Sequence, residues 1–199
     1  ELRTGIRKLG VADNTVLWYC SDNGAIPKGS TGGLRARKGS LYEGGIRVPA
    51  IIEWPAQIKS NRTTNMNANT SDIYPTLLEL AGVALPKNQP VLDGTSLVSL
   101  LNGEAKRREK SMGFWTYQAK GRGRKSRAML EVLRQEQLAG SQKPAEPEGQ
   151  IERQYPTDSL PGHAAWIDGD YKLHRVSVKK NKAKFAYELY HLGHDPKEQ

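Results

Sequence analysis

Apolar positions along this chain fall in short runs fenced by turn residues, with no long hydrophobic stretch. Residues 1–9 read as helical. Val11 to Cys20, with Thr15-Val16-Leu17-Trp18-Tyr19-Cys20 at its heart, is rich in β-formers. Asp13-Asn14 and Ser21-Asp22-Asn23-Gly24 fence it. This pattern predicts a strand buried on both faces, as in a parallel sheet. Val48 to Trp54, closed by Pro55, predicts a second buried strand. Between them, residues 24–45 carry seven glycines and little periodicity. A loop that long inside a compact domain is usually functional. Further on, Ser71 is placed to cap a helix from Asp72 to Ala81, with Gly82 as its stop. Ile73, Leu77, Leu80 and Ala81 form its apolar stripe. A shorter helix, Ser96 to Leu101, follows the turn Asp93-Gly94-Thr95.

The pattern changes after Gly103. Ser111 to Tyr117 predicts a strand, and Lys125 to Leu138 a helix. Residues 140–162 are rich in Pro, Gly, Gln and Glu and predict a flexible connection. Three strands are then expected at His163–Ile167, Tyr171–Val176 and Ala183–Tyr190. Asp168-Gly169-Asp170 is a hairpin signal between the first two. The expected fold class is α/β: the end of a mixed sheet sandwiched by helices, then a small α+β subdomain of antiparallel strands. The expected boundary divides residues 1–105 from residues 106–199.

Composition narrows the classes. The chain has 199 residues and a formal net charge of +9. No run is long enough to span a membrane. The single Cys20 excludes an internal disulfide and makes a sulfur-ligated zinc site an unsuitable reading. Residues 106–143 hold eleven Lys/Arg against three Asp/Glu, so the basic excess belongs to one segment. A solvated insertion is the plainer reading of such a run. Nucleic acid is not the favoured partner, because Trp115 and Tyr117 lie at one end instead of being interleaved with the cations. The chain opens on Glu1 with no signal-like segment after it, and is expected to be a piece of a longer protein.

Candidate chemistry collects in the glycine-rich region. Asp22 and Asn23 follow a predicted strand, at the edge where ligand sites of open α/β sheets gather. A carboxylate and an amide carbonyl are hard donors suited to calcium or magnesium. On these residues alone, turn chemistry is the stronger reading. Lys38 is a mobile point charge suited to phosphate or sulfate oxygens. Glu43 and Arg47, flanking Gly44-Gly45, are spaced to pair. None of His163, His174, His191 and His194 has metal-ligand spacing. His163 begins a strand after a loop and is a weaker candidate for a site. Asn61-Arg62-Thr63 and Asn69-Thr70-Ser71 fit the glycosylation acceptor pattern.

Together these segments resemble the C-terminal portion of the formylglycine-dependent sulfatases, within the alkaline-phosphatase-like superfamily. The resemblance lies in Val16-Leu17 through Ser21-Asp22-Asn23-Gly24, Leu34-Arg35-Ala36-Arg37-Lys38-Gly39 and Tyr42-Glu43-Gly44-Gly45-Ile46-Arg47-Val48-Pro49. It continues through Ser71-Asp72-Ile73-Tyr74-Pro75-Thr76, Leu80-Ala81-Gly82 and Asp93-Gly94-Thr95-Ser96-Leu97. Asp168-Gly169-Asp170-Tyr171-Lys172-Leu173, Glu188-Leu189-Tyr190 and Asp195-Pro196 complete it; residues 104–162 match loosely. The resemblance implies calcium ligation by Asp22 and Asn23 and a sulfate contact from Lys38. It gives Glu43, Gly44, Gly45 and Arg47 a structural part behind that lysine.

The resemblance further implies hydrolysis of a sulfate ester to an alcohol and inorganic sulfate. In the family the nucleophile is a formylglycine made from Cys or Ser, and its motif is absent here. Cys20, followed by Ser21-Asp22-Asn23, does not fit it. The expected nucleophile and the other calcium ligands lie in a missing N-terminal half, so this piece alone is expected to be inactive. The implied partners are a sulfated small molecule or a sulfated carbohydrate. The implied location is periplasmic, secreted or lysosomal. Two other readings remain beside it: a phosphodiesterase or phosphonate hydrolase of the same superfamily, and a non-catalytic polyanion-binding remnant.

Overall fold

The computed structural model describes residues 1–58, 61–86, 88–116, 122–140, 162–178 and 181–199. Five helices occur among them: α1 (Leu2–Lys8), α2 (Glu43–Ile46), α3 (Ile73–Leu80), α4 (Val98–Leu101) and α5 (Arg122–Leu138). Six strands form two sheets. β1 (Leu17–Cys20) and β2 (Ala50–Glu53) make a two-stranded ribbon. β3 (Met112–Trp115), β4 (Ala164–Asp168), β5 (Tyr171–Val178) and β6 (Asn181–His191) make a sheet ordered β3-β4-β5-β6.

The ribbon corrects one expectation. β1 pairs antiparallel with β2, Leu17 opposite Glu53 and Cys20 opposite Ala50. Neither strand is buried on both faces: Tyr19 is 58% exposed and Ile51 63%. Burial on both faces needs a layer on each side of the strand. Here α1 reaches the ribbon through ion pairs to Glu53, with Arg3 Nε 2.6 Å from its Oε2 and Arg7 Nη2 3.6 Å from its Oε1, and Tyr19 and Ile51 stay exposed.

The larger sheet follows its sequence pattern closely. Ala165, Ile167, Lys172 and His174 point inward while Trp166, Tyr171 and Leu173 alternate outward. Gly169 takes φ 55° in the two-residue turn joining β4 to β5, a conformation that suits glycine there. The core gathers Met112, Ile167 and Leu192, with Ile46 and Phe114 packed against it. It therefore draws side chains from both residues 1–105 and residues 106–199.

α3 starts differently from the expectation. Asn69, not Ser71, is its lead-in cap. Asn69 Oδ1 accepts from Ser71 N at 2.8 Å, and Asp72 Oδ2 accepts from Asn69 N at 2.8 Å, a reciprocal capping box. A 3-10 turn over Thr70–Asp72 then runs into the helix. Gly82, at φ 65°, ends it as predicted. The expected connection over residues 140–162 lies almost wholly outside the described residues.

Candidate functional site

Three loops that carry the sequence-predicted residues are tied into one body. Gly24 N donates to Gly45 O at 2.8 Å, joining the Asp22-Asn23 turn to α2. Gly44 N donates to Arg35 O at 2.8 Å, and Lys38 N donates to Ala25 O at 3.1 Å. The glycines make this approach possible. A Cβ on Gly24 would lie 2.0 Å from Gly44 O, and one on Gly44 would lie 2.3 Å from Ala36 O. Ala36 itself is held at φ 63°, a left-handed conformation that costs a non-glycine residue about 1 kcal/mol. The loop bearing Lys38 is thus fixed by backbone packing, while Lys38 itself is exposed.

Asp22 and Asn23 stand just past β1, and Asn23 Nδ2 donates to Asp22 Oδ1. That bond turns the Asn23 amide oxygen away from the carboxylate, leaving both residues with oxygens to offer. Their donor chemistry fits calcium in part. A calcium ion takes about six to eight oxygens, and two adjacent residues supply a fraction of them. Among the described residues no group of three or more His, Cys, Asp or Glu is placed to hold a metal ion.

Glu43 makes the predicted pair with Arg47, at 3.7 Å, but this is its lesser partner. Behind the loops lies a buried ionic chain that sequence reasoning missed. Lys172 Nζ, with no exposed surface, sits 2.8 Å from Glu43 Oε1 and 2.9 Å from Glu198 Oε1. Glu198 Oε1 also meets His174 Nε2 at 2.7 Å, and its Oε2 accepts from Glu43 N at 2.5 Å. His174 Nδ1 lies 2.7 Å from His163 Nε2. The only hint in the sequence was inward alternation: Lys172 and His174 occupy core-facing positions of β5. Glu198 gave no sign, since it acts from a turn at φ 57°.

Electrostatics follow from this packing. Burial alone would push the Glu198 carboxyl up. Hydrogen bonds from His174, the Glu43 backbone and Lys172 outweigh it and hold it below the ordinary carboxylate value. Burial and the neighbouring His174 both push His163 below the ordinary imidazole value. Tyr42 rises to about 12, through burial first and then its hydrogen bond to Glu188 Oε2 at 2.7 Å. The Arg35 guanidinium lies 3.8 Å from the Tyr42 ring centre and donates to Tyr190 OH at 2.9 Å. His163 thus joins the loop cluster through Tyr42, whose ring centre is 5.3 Å away.

Part of the basic segment has a structural task. Arg108, 5% exposed, forks onto Asp72 with Nη1–Oδ2 at 2.6 Å and Nη2–Oδ1 at 2.8 Å. Asp72 also accepts from Thr95 N at 2.8 Å, so all its main acceptor directions are used. α5 carries much of the remaining positive charge; of its Glu131–Arg134 pair, 2.9 Å apart, both side chains are exposed.

Comparison with known proteins bears on these loops. The Sulfatase family model matches residues 2–83. A curated protein named Sulfatase from Formosa agariphila is 42% identical over 113 residues, covering 54% of this chain and 20% of its own length. One solved structure, in complex with its substrate D-glucosamine-2-N,6-O-disulfate, superposes with a TM-score of 0.61 at 25% identity. That match covers 99% of this chain and 31% of the other. Another, a complex with k-i-k-neocarrahexaose, gives a TM-score of 0.65 at 22% identity over 100% of this chain and 34% of the other. The second match shows the shared fold alone. The chain spans about a fifth of the curated relative and about a third of each solved chain.

Proposed function

We propose, on the premise that this chain is related to the C-terminal portion of the sulfatases, that it forms part of an enzyme hydrolysing a sulfate ester to an alcohol and inorganic sulfate. The observation that carries the proposal is the sulfatase match over residues 2–83, the stretch that holds Asp22, Asn23 and Lys38 on one packed set of loops. The proposed substrate class is a sulfated carbohydrate. The proposed location is outside the cytoplasm: periplasmic, secreted or lysosomal.

In this reading Asp22 and Asn23 hold part of a calcium ion. Calcium held there would supply positive charge to the sulfate group, and in this reading the formylglycine nucleophile comes from sequence outside this chain. Lys38 places an ammonium on the transferring group. Charge placed in advance where negative charge develops is the largest help such a transfer receives. The bonds from Gly44 to Arg35 and from Lys38 to Ala25 keep that ammonium's backbone in place before substrate arrives.

The test uses the longer, formylglycine-matured protein with a small aryl sulfate and with sulfated sugars. Sulfate release is expected, lost on chelation and restored by calcium. Lys38→Ala is expected to lower kcat about 100-fold or more with an unchanged melting temperature. Hydrolysis of phosphodiesters to a phosphomonoester and an alcohol, with sulfate esters untouched, would overturn the reading.

A further inference from the structure

A cavity of about 560 Å³ opens at the far end of the large sheet from His163. His163 precedes β4, and the cavity is reached along β4 at Ile167. Three strand residues lie between them, a span of roughly 13 Å. Met112 and Ile167 line the cavity on the core side.

Its lining mixes two chemistries. Lys106, Arg107 and Lys110, all exposed, contribute to it. Arg108 between them is turned inward onto Asp72, so its charge is neutralised and its neighbours face out. Lys110 is anchored by its ammonium to Leu92 O. The lining also takes in the β4–β5 turn with Asp168 and Asp170, followed by Tyr171, which is 55% exposed. Asn67 Nδ2 donates to Gly169 O at 2.9 Å and closes the cavity against that turn. His191 stands edge-on to Tyr171 at 4.8 Å, and its Nδ1 is buried with no hydrogen-bond partner among the described residues.

A bare anion would need the cations alone, and a metal ion the carboxylates alone. Cations and carboxylates lining one cavity, together with the exposed ring of Tyr171, suit a molecule that carries both anionic groups and neighbouring hydroxyls. The volume lies within the usual range of about 300–1,000 Å³ for small-molecule sites. We propose that this cavity binds a sulfated oligosaccharide. Its sulfate lies on Lys106 and Arg107, its hydroxyls on Asp168 and Asp170, and one ring face lies on Tyr171. The choice of sulfate over carboxylate as the anionic group rests on the proposed function. A second hold on a polymeric substrate raises its effective concentration at the loops without any new contact there.

The experiment is calorimetric titration of the 199-residue chain with a sulfated galactan hexasaccharide, its desulfated counterpart and inorganic sulfate. The sulfated sugar is expected to bind, and the desulfated one about tenfold more weakly or worse. K106A/R107A is expected to weaken binding by about tenfold, Tyr171→Ala to weaken it measurably, and Lys8→Ala, at an exposed cation of α1 outside the cavity lining, to leave it unchanged. All these side chains are exposed, and circular dichroism checks that each variant keeps its fold. No binding by the parent chain, undiminished binding by K106A/R107A, or an equal loss with Lys8→Ala would each overturn the proposal. Equal competition by inorganic sulfate would also overturn it, by reducing the cavity to a simple anion site. Turnover of a small aryl sulfate by the longer protein, with and without K106A/R107A, tests the sulfatase reading separately.

Discussion

Lys172 is the residue on which the interior most depends. It lies between two buried carboxylates, Glu43 and Glu198, and is the ammonium that both share. Removing one partner of a buried ionic group leaves the other charge uncompensated, at a cost of about 3–5 kcal/mol. Lys172→Ala is therefore expected to lower stability by about that amount in urea denaturation; a loss under about 1 kcal/mol would mean that water replaces the ammonium. Acid acts on the same chain of groups. His163 is held below its ordinary value of 6.5, so its neutral form is favoured by folding. Its contribution is complete above 6.5 and drains away as pH falls through the lowered value. Glu198 is held below 4.5, so its contribution is complete above 4.5 and is lost as pH falls through its own lowered value. Stability should fall in two stages on acidification, the imidazole first. His163→Gln, which does not titrate, is expected to remove the upper stage and leave the lower. Identical melting curves for the two proteins between about pH 5 and 7 would defeat that assignment.

At the scale of elements, the start of α3 separates two capping residues that look alike in sequence. Asn69 Oδ1 takes the Ser71 N–H, whereas the exposed Ser71 hydroxyl only donates back to Asn69 Oδ1 at 2.5 Å. Asn69→Ala is expected to cost about 1 kcal/mol, and Ser71→Ala a small fraction of it, in thermal melts of the two variants. Equal losses would return the cap to Ser71. The sequence placed the helix because its apolar stripe and Gly82 are local signals, and it missed the cap because Asp72, the reciprocal partner, was read as the first helical residue. The same division runs through the other elements. The hairpin at Asp168-Gly169-Asp170 was legible from its turn residues. The pairing of β1 was not, because a short apolar run does not say which neighbour it has. Of Glu43's partners, Arg47, four residues on, was legible, and Lys172, 129 residues away, was not. Arg108 was read with the basic run because its carboxylate is 36 residues distant.

Across the whole molecule, buried ionic contacts among the described residues join residues 1–105 to residues 106–199. Glu43 meets Lys172 behind the glycine loops, and Asp72 meets Arg108 beneath α3. These contacts give the chain a firm back to its loop cluster, and in the proposed reading Asp22 and Asn23 are the ligands that the described residues of that cluster offer to calcium. Calcium stabilises a protein by RT ln(1 + [Ca]/Kd), so a site short of ligands yields almost no shift at ordinary concentrations. The 199-residue chain is therefore expected to melt at the same temperature with and without about 1 mM calcium. The longer protein is expected to melt several degrees higher with calcium, a gain that Asp22→Ala abolishes. Both carboxylate and amide lie at the surface, so this substitution should leave the calcium-free melting temperature unchanged. A calcium-dependent rise in the 199-residue chain, abolished by Asp22→Ala, would show that this chain already completes the site. The division of ligands between this chain and the rest of the protein would then be wrong.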